Sequence, residues 1–132
     1  MPSLLDTNSW IHYLKHATSP IRARLQALQP REVVSCSIVR GELLHGAEKD
    51  GHPDRRKAVI LQTLAPYQSA PFDDDAATLY AQIRHALEVA GLVLGPHDLQ
   101  IAAICVLRGF TLVTNNTGEF SRVNGLQIED WL

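Results

Sequence analysis

The stretch Gly95-Pro96-His97-Asp98-Leu99-Gln100-Ile101-Ala102-Ala103-Ile104-Cys105-Val106-Leu107-Arg108-Gly109-Phe110-Thr111-Leu112-Val113-Thr114 decides the fold. Pro96 has the fixed φ that suits a first helical position, and Gly109 is a natural helix stop. Between them Leu99 to Leu107 is apolar at nearly every position, so the predicted helix is greasy on most sides and must be buried. A β-rich segment, Phe110 to Thr114, follows at once. A buried helix feeding directly into a strand belongs to a layered α/β protein. Within this apolar run Asp98 is out of place.

The same alternation runs outward in both directions. Ser3 to Asp6 is a short apolar segment, followed by the helix-starting residues Thr7-Asn8-Ser9 and a helix through Trp10, Ile11 and Leu14. Ser19-Pro20 opens a second helix carrying Ile21, Leu25 and Leu28, with Pro30 at its far end. Val33-Val34-Ser35 reads as a buried strand, and Ser37 as the cap of a helix with Ile38, Val39, Leu43 and Leu44. Gly51-His52-Pro53 breaks the chain before a helix through Ala58, Leu61, Leu64 and Ala65, which stops near Pro66. Gln68 to Pro71 is weakly extended. Asp73-Asp74-Asp75 precedes the clearest amphipathic helix, Ala76, Leu79, Tyr80, Ile83, Leu87 and Ala90, ended by Gly91. Leu126 to Ile128 suggests a last strand. The expectation is an α/β fold, one domain over residues 1–132, with a short, mainly parallel sheet flanked by helices on both faces. In such sheets ligands bind beyond the carboxyl ends of the strands, the edge that Asp6, Asn115 and Asn116 share.

The 132 residues are 45% apolar and 20% charged, which excludes a disordered chain, a collagen-like repeat and a disulfide scaffold. No apolar run approaches the ~20 residues of a membrane span. With 14 acidic against 12 basic residues the formal charge is −2, so nucleic-acid binding cannot come from a basic whole-body field and needs local charge or metal. Cys36 and Cys105 have no zinc-spaced partner and read as small buried hydrophobes in a reducing cytosol. No signal peptide is visible at Met1 to Asp6, so the expected address is the cytoplasm. No repeat, low-complexity tract or linker interrupts the chain.

The acids carry the chemistry. Asp6 follows Leu4-Leu5 at a strand end. Glu42 lies four residues after Ile38 and three after Val39, on or beside the apolar face of its helix. Asp98 sits in the first turn of the greasy helix, and Glu119 precedes Phe120 just past a strand end. Buried unpaired carboxylates are costly, and several in one place repel one another. A hard divalent cation such as Mg²⁺ or Mn²⁺ removes that penalty and equips the site for phosphodiester hydrolysis. Each acid also has a plainer reading. Asp6 can cap a helix, Asp98 can favour its helix dipole, Glu42 can pair with Arg40 or another arginine, and Glu119 can be an exposed loop acid.

Four segments carry a resemblance. Leu4-Leu5-Asp6-Thr7-Asn8, Ser37-Ile38-Val39-Arg40-Gly41-Glu42-Leu43, Asp98-Leu99-Gln100-Ile101-Ala102-Ala103 and Leu112-Val113-Thr114-Asn115-Asn116-Thr117-Gly118-Glu119-Phe120 resemble, in order, the acidic motifs of the PIN-domain ribonucleases. The match runs through to Glu129-Asp130-Trp131-Leu132. Within that family the chain is most similar to the VapC toxins of bacterial toxin–antitoxin pairs. The resemblance implies Asp6, Glu42 and Asp98 as core acids, Asp6 and Asp98 as direct metal ligands, and Glu119 as a fourth acid. Many PIN domains carry an acid where this chain has Asn116. It further implies Mg²⁺- or Mn²⁺-dependent endoribonuclease cleavage of RNA, in the nearest branch tRNA and the initiator anticodon loop. Its implied partners are a second copy of the chain and a cognate VapB antitoxin in a higher assembly, with the antitoxin's C-terminal segment in the acidic groove. Thr7, Thr114, Asn115 and Asn116 are candidates for contacts to substrate, with capping and turn formation as their ordinary roles.

Other residues read as scaffold. None of the six histidines belongs to an HExxH or a tight His/Asp cluster, and most read as surface residues. Arg55-Arg56-Lys57, the only basic run, reads as a solvated helix start, with contact to RNA phosphate as the alternative, and Trp10 and Tyr13 as packing, with stacking on bases as the alternative. Two rival functions use the same acids. One is another metal-dependent phosphatase or nuclease, and the other a phosphoryl-accepting receiver-like module, which is disfavoured because no strand end carries a lysine.

Overall fold

The structure, a computed structural model, describes residues 1–132, and its one sheet has five short strands. These are β1 (Ser3–Leu5), β2 (Val33–Cys36), β3 (Gln68–Ala70), β4 (Thr111–Val113) and β5 (Gln127–Glu129). Their order is β3-β2-β1-β4-β5, and every neighbouring pair is parallel. Leu4 stands opposite Val34 on one side and Leu112 on the other. The central strands are covered on both faces, hence their apolar pairs Leu4-Leu5, Val33-Val34 and Leu112-Val113, while β3 and β5 are partly exposed at the edges.

The helices are α1 (Thr7–Lys15), α2 (Pro20–Ala27), α3 (Ser37–Glu48), α4 (Pro53–Leu64), α5 (Asp74–Val89), α6 (Pro96–Arg108) and α7 (Thr117–Phe120). Parallel crossovers are right-handed, and the strand order reverses between β1 and β4. That places α1 to α4 on one face and α5 to α7 on the other. The packing agrees: α1 meets α2 and α3, α3 meets α4, and α5 lies along α6, while α3 and α6 touch across the crevice, where His97 meets Glu42. The reversal beside β1 opens a crevice at the strands' carboxyl ends.

The core joins Leu4, Leu5, Trp10, Ile101, Ile104, Leu112 and Phe120. In α6, Leu99 and Ile101 to Cys105 are buried, as the apolar run requires, but Leu107 turns outward in the last turn. Gly109, at φ +72°, supplies the left-handed residue that ends α6, and Phe110 N–H closes the turn on the Cys105 carbonyl at 2.9 Å. Both cysteines are buried and free, and burial pushes the Cys36 thiol up to about 11.

One cap follows expectation and one differs. Asp6 caps α1, which starts at Thr7, its Oδ1 accepting Ser9 N–H at 2.8 Å. Helix α3 starts directly off β2, so Cys36 is its cap position and Ser37 is already helical. The Ser37 hydroxyl accepts Phe72 N–H instead, at 3.1 Å, and ties down the chain after β3.

Replacing Ile104 by Ala is expected to lower the unfolding free energy by about 2–5 kcal/mol, while Leu107→Ala costs under about 1 kcal/mol. Urea denaturation of both variants checks this, and equal losses would place the core wrongly.

Candidate active site

Strand β1 ends at Leu5, so Asp6 emerges at the carboxyl edge of the sheet. Its own N–H donates to the Val113 carbonyl at 3.0 Å, and Ser9 Oγ donates to the same oxygen at 3.2 Å. The carboxylate is only 4% exposed, with Oδ1 committed to the α1 cap. One turn into α3, Glu42 is half-buried. Its Oε1 accepts the Thr7 hydroxyl at 2.7 Å, and its Oε2 lies 3.2 Å from His97 Nδ1. Neither Arg40 nor any other arginine pairs with it. Asp98 sits in the first turn of α6, beneath the cap residue Gly95, where a Cβ would stand 3.9 Å from Asp98 Oδ2. Asp6, Thr7, Glu42 and Asp98 share one open groove of about 700 Å³.

The electrostatics report the same convergence. The Asp98 carboxyl is pushed up to about 6, first by burial and then by the negative charges of Asp6, Glu42 and Glu119, with His97 pulling the other way. No lysine or arginine pairs with Asp6, Glu42 or Asp98.

The β4 side is arranged differently. Glu119, on α7, is exposed and does not line the groove, although its charge reaches Asp98. Its Oε2 accepts Asn116 Nδ2 at 3.0 Å. Thr114 is fully buried and its Oγ1 accepts Asn116 N–H at 3.0 Å, a turn-forming role out of a substrate's reach. Asn115 is exposed, and Asn116 partly so.

A family model for the PIN domain matches residues 3–126. The chain belongs to the PIN-domain family. It is 41% identical over 128 residues to a tRNA(fMet)-specific endonuclease VapC of Shigella flexneri, covering 97% of this chain and 96% of that one. It is 35% identical over 129 residues to a ribonuclease VapC2 of Haemophilus influenzae, covering 98% and 97%. The crystal structure of DNA-bound VapBC from Salmonella typhimurium has a TM-score of 0.94 and 37% identity, covering 100% of this chain and 99% of its match.

PIN-domain ribonucleases in general depend on a divalent metal, and the donor chemistry of this PIN domain suits one. The groove offers hard carboxylate oxygens and no thiolate. No three His, Cys, Asp or Glu side chains stand close enough to clasp an ion among themselves. A cation held here by one or two carboxylates would keep water in its shell, which suits Mg²⁺.

Sequence reading passed over three groove residues. His97 touches Glu42, and His45 and Lys49 continue the Glu42 face of α3 at helical spacing, i+3 and i+7. That spacing was the available signal. Lys49 enters from the end of α3, not from a strand end, so the feature a receiver-like module needs is still lacking.

With Asp98 raised from 3.8 to about 6, the free protein gains stability from its protonated form below about pH 4 and loses that gain as pH rises through about 6. A cation favours the charged form. Added Mg²⁺ or Mn²⁺ is therefore expected to raise Tm more at about pH 7.5 than at about pH 5, and Asp98→Asn to flatten the difference. Thermal scans check this; equal shifts at both pH values contradict it.

Proposed function

We propose that the chain is the toxin of a type II toxin–antitoxin pair, a Mg²⁺- or Mn²⁺-dependent endoribonuclease that cuts tRNA in the initiator anticodon loop and so stops translation. One observation carries the chemistry: Asp6, Glu42 and Asp98 share a groove with no lysine or arginine partner. The substrate rests on the relatives, of which those at 41% and 39% identity are named for tRNA(fMet).

In this reading Asp6 and Asp98 hold the cation. Asp6 is pre-aimed, because the α1 cap fixes one of its oxygens and leaves the other. Glu42, steadied by Thr7 and His97, orients the attacking water. Glu119 and Asn116 form a hydrogen-bonded pair outside the groove lining, from which, in this reading, they steady water or phosphate, with Asn115 beside them, while Thr114 supports their turn from below. A bound cation neutralises phosphate charge and favours departure of the 3′ oxygen. The products are a 5′-phosphate and a 3′-hydroxyl.

The solved VapBC complexes support a cognate VapB antitoxin as partner. In this reading its C-terminal segment closes the acidic groove, and the substrate tRNA sets the cytoplasm as the place of action. A homodimer inside that assembly has apolar surface to cover: Val89 and Val93 are 75% and 77% exposed. No helix is long and apolar enough to cross a membrane.

Asp98→Asn is expected to cut RNA cleavage by about 100-fold or more while leaving the fold intact. Without metal at neutral pH its Tm should equal or exceed that of the wild type, since one repelling charge is gone. Mapping of RNA 5′ ends after brief induction, wild type against variant, tests this beside a panel of DNA and phosphomonoesters. Undiminished cleavage by the variant, or a wild type that cuts DNA and spares RNA, overturns it.

A further inference from the structure

The acidic groove does not end at the acids. It runs along α3 into a second hollow of about 310 Å³, and Glu42, Gly46 and Lys49 border both. The second hollow also takes in Lys15 from the end of α1 and Arg56 from α4. None of Lys15, Lys49 and Arg56 has an ion-pair partner, whereas Lys57, Arg24, Arg84 and Arg108 all do. Two of the chain's three lysines thus stand free in one depression of a protein whose net charge is −2. Two acids line this hollow with them: Glu42, held by Thr7 and His97, and Asp50, whose Oδ1 accepts His52 N–H at 2.9 Å.

Glycine keeps the α3 side of this channel low. Gly41 and Gly46 lie inside α3, where glycine is less stable than alanine. Neither has a packing reason: a Cβ at either position meets no atom within 4 Å, and neither has positive φ. Both border the acidic groove. The helix is weakened and its outer surface kept low along the acidic groove at Gly41 and, at Gly46, where the hollows join.

We propose that this continuous channel is the track for the RNA backbone on one side of the scissile phosphate, with Lys49 at the junction and Lys15 and Arg56 farther along binding successive phosphates. The proposal rests on the ribonuclease reading and adds to it positioning residues outside the acids. Flexible ammonium groups and a guanidinium suit a negative chain whose bases are read elsewhere.

The test uses Lys49→Gln, a Lys15→Gln/Arg56→Gln double variant, and Gly46→Gln, which raises the α3 side of the channel with a helix-compatible side chain. Each is expected to raise KM for single-stranded RNA by about 10-fold, with kcat within about twofold, and to leave cleavage of a dinucleotide unchanged. Each lost cation lowers the slope of log affinity against log salt by about 0.7. Gly46→Gln should melt at or above the wild-type temperature, which a damaged fold would not do. Fluorescence anisotropy of RNA on the same variants in an Asp98→Asn background with Mg²⁺ measures binding without cleavage. If wild type cuts no RNA, the ribonuclease reading fails, and the anisotropy arm still decides the track. Unchanged KM and salt slope overturn the proposal. So does a kcat loss at constant KM, which puts Lys49 at the reacting phosphate, or a loss confined to antitoxin binding.

Discussion

Repulsion among carboxylates at the carboxyl end of β1 is the constraint around which this molecule is built. Asp6, Glu42 and Asp98 arrive from three different elements and form no ion pair with a lysine or arginine there. Their neighbours are hydroxyls, backbone N–H groups and one histidine, which fix direction without cancelling charge. The field of the site therefore stays negative, and Asp98 shows it by holding its proton to about 6. Such a cluster is tolerated because each acid is anchored elsewhere: Asp6 by the β1–β4 pairing, Asp98 by the almost wholly buried body of α6, Glu42 by the Leu43 and Val39 side of α3.

Structural and chemical roles coincide in these residues. Asp6 is both the cap of α1 and an acid of the groove, and the first role makes the second reproducible, since a carboxylate with one oxygen held by Ser9 N–H has little freedom left. Thr7 opens α1 and binds Glu42, so the step from β1 to α1 orients two acids at once. On the β4 side Thr114 has only the structural role, inside the turn that presents Asn116 and Glu119.

Much of this was legible in the residues, for identifiable reasons. Central parallel strands are buried on both faces, so Leu4-Leu5, Val33-Val34 and Leu112-Val113 read as apolar pairs, and Pro96 and Gly109 bracket α6 by backbone chemistry alone. Asp98 stood out because an acid among Leu99, Ile101 and Ala102 has few ordinary uses. Cap positions were less legible: Asp6 and the Thr7-Asn8-Ser9 run are all good cap residues, and only the point where β1 lets go of β4 decides among them. Leu107 was over-read because one apolar residue in the last turn of a buried helix says nothing of the direction it faces. Arg56 was visible as part of a basic run, but its grouping with Lys15 and Lys49 was illegible, because the three are far apart in the chain and only the packing of α1, α3 and α4 gathers them.

Whether those acids form one charged centre can be measured directly. Carbon-13 NMR titration of the Asp98 carboxyl, first without divalent cation and then with saturating Mg²⁺, reads the field at its centre. The account predicts a pKa near 6 in the free protein, falling below the ordinary aspartate value once the cation is bound. An ordinary aspartate titration that ignores Mg²⁺ would mean that the acids neither repel one another nor share an ion.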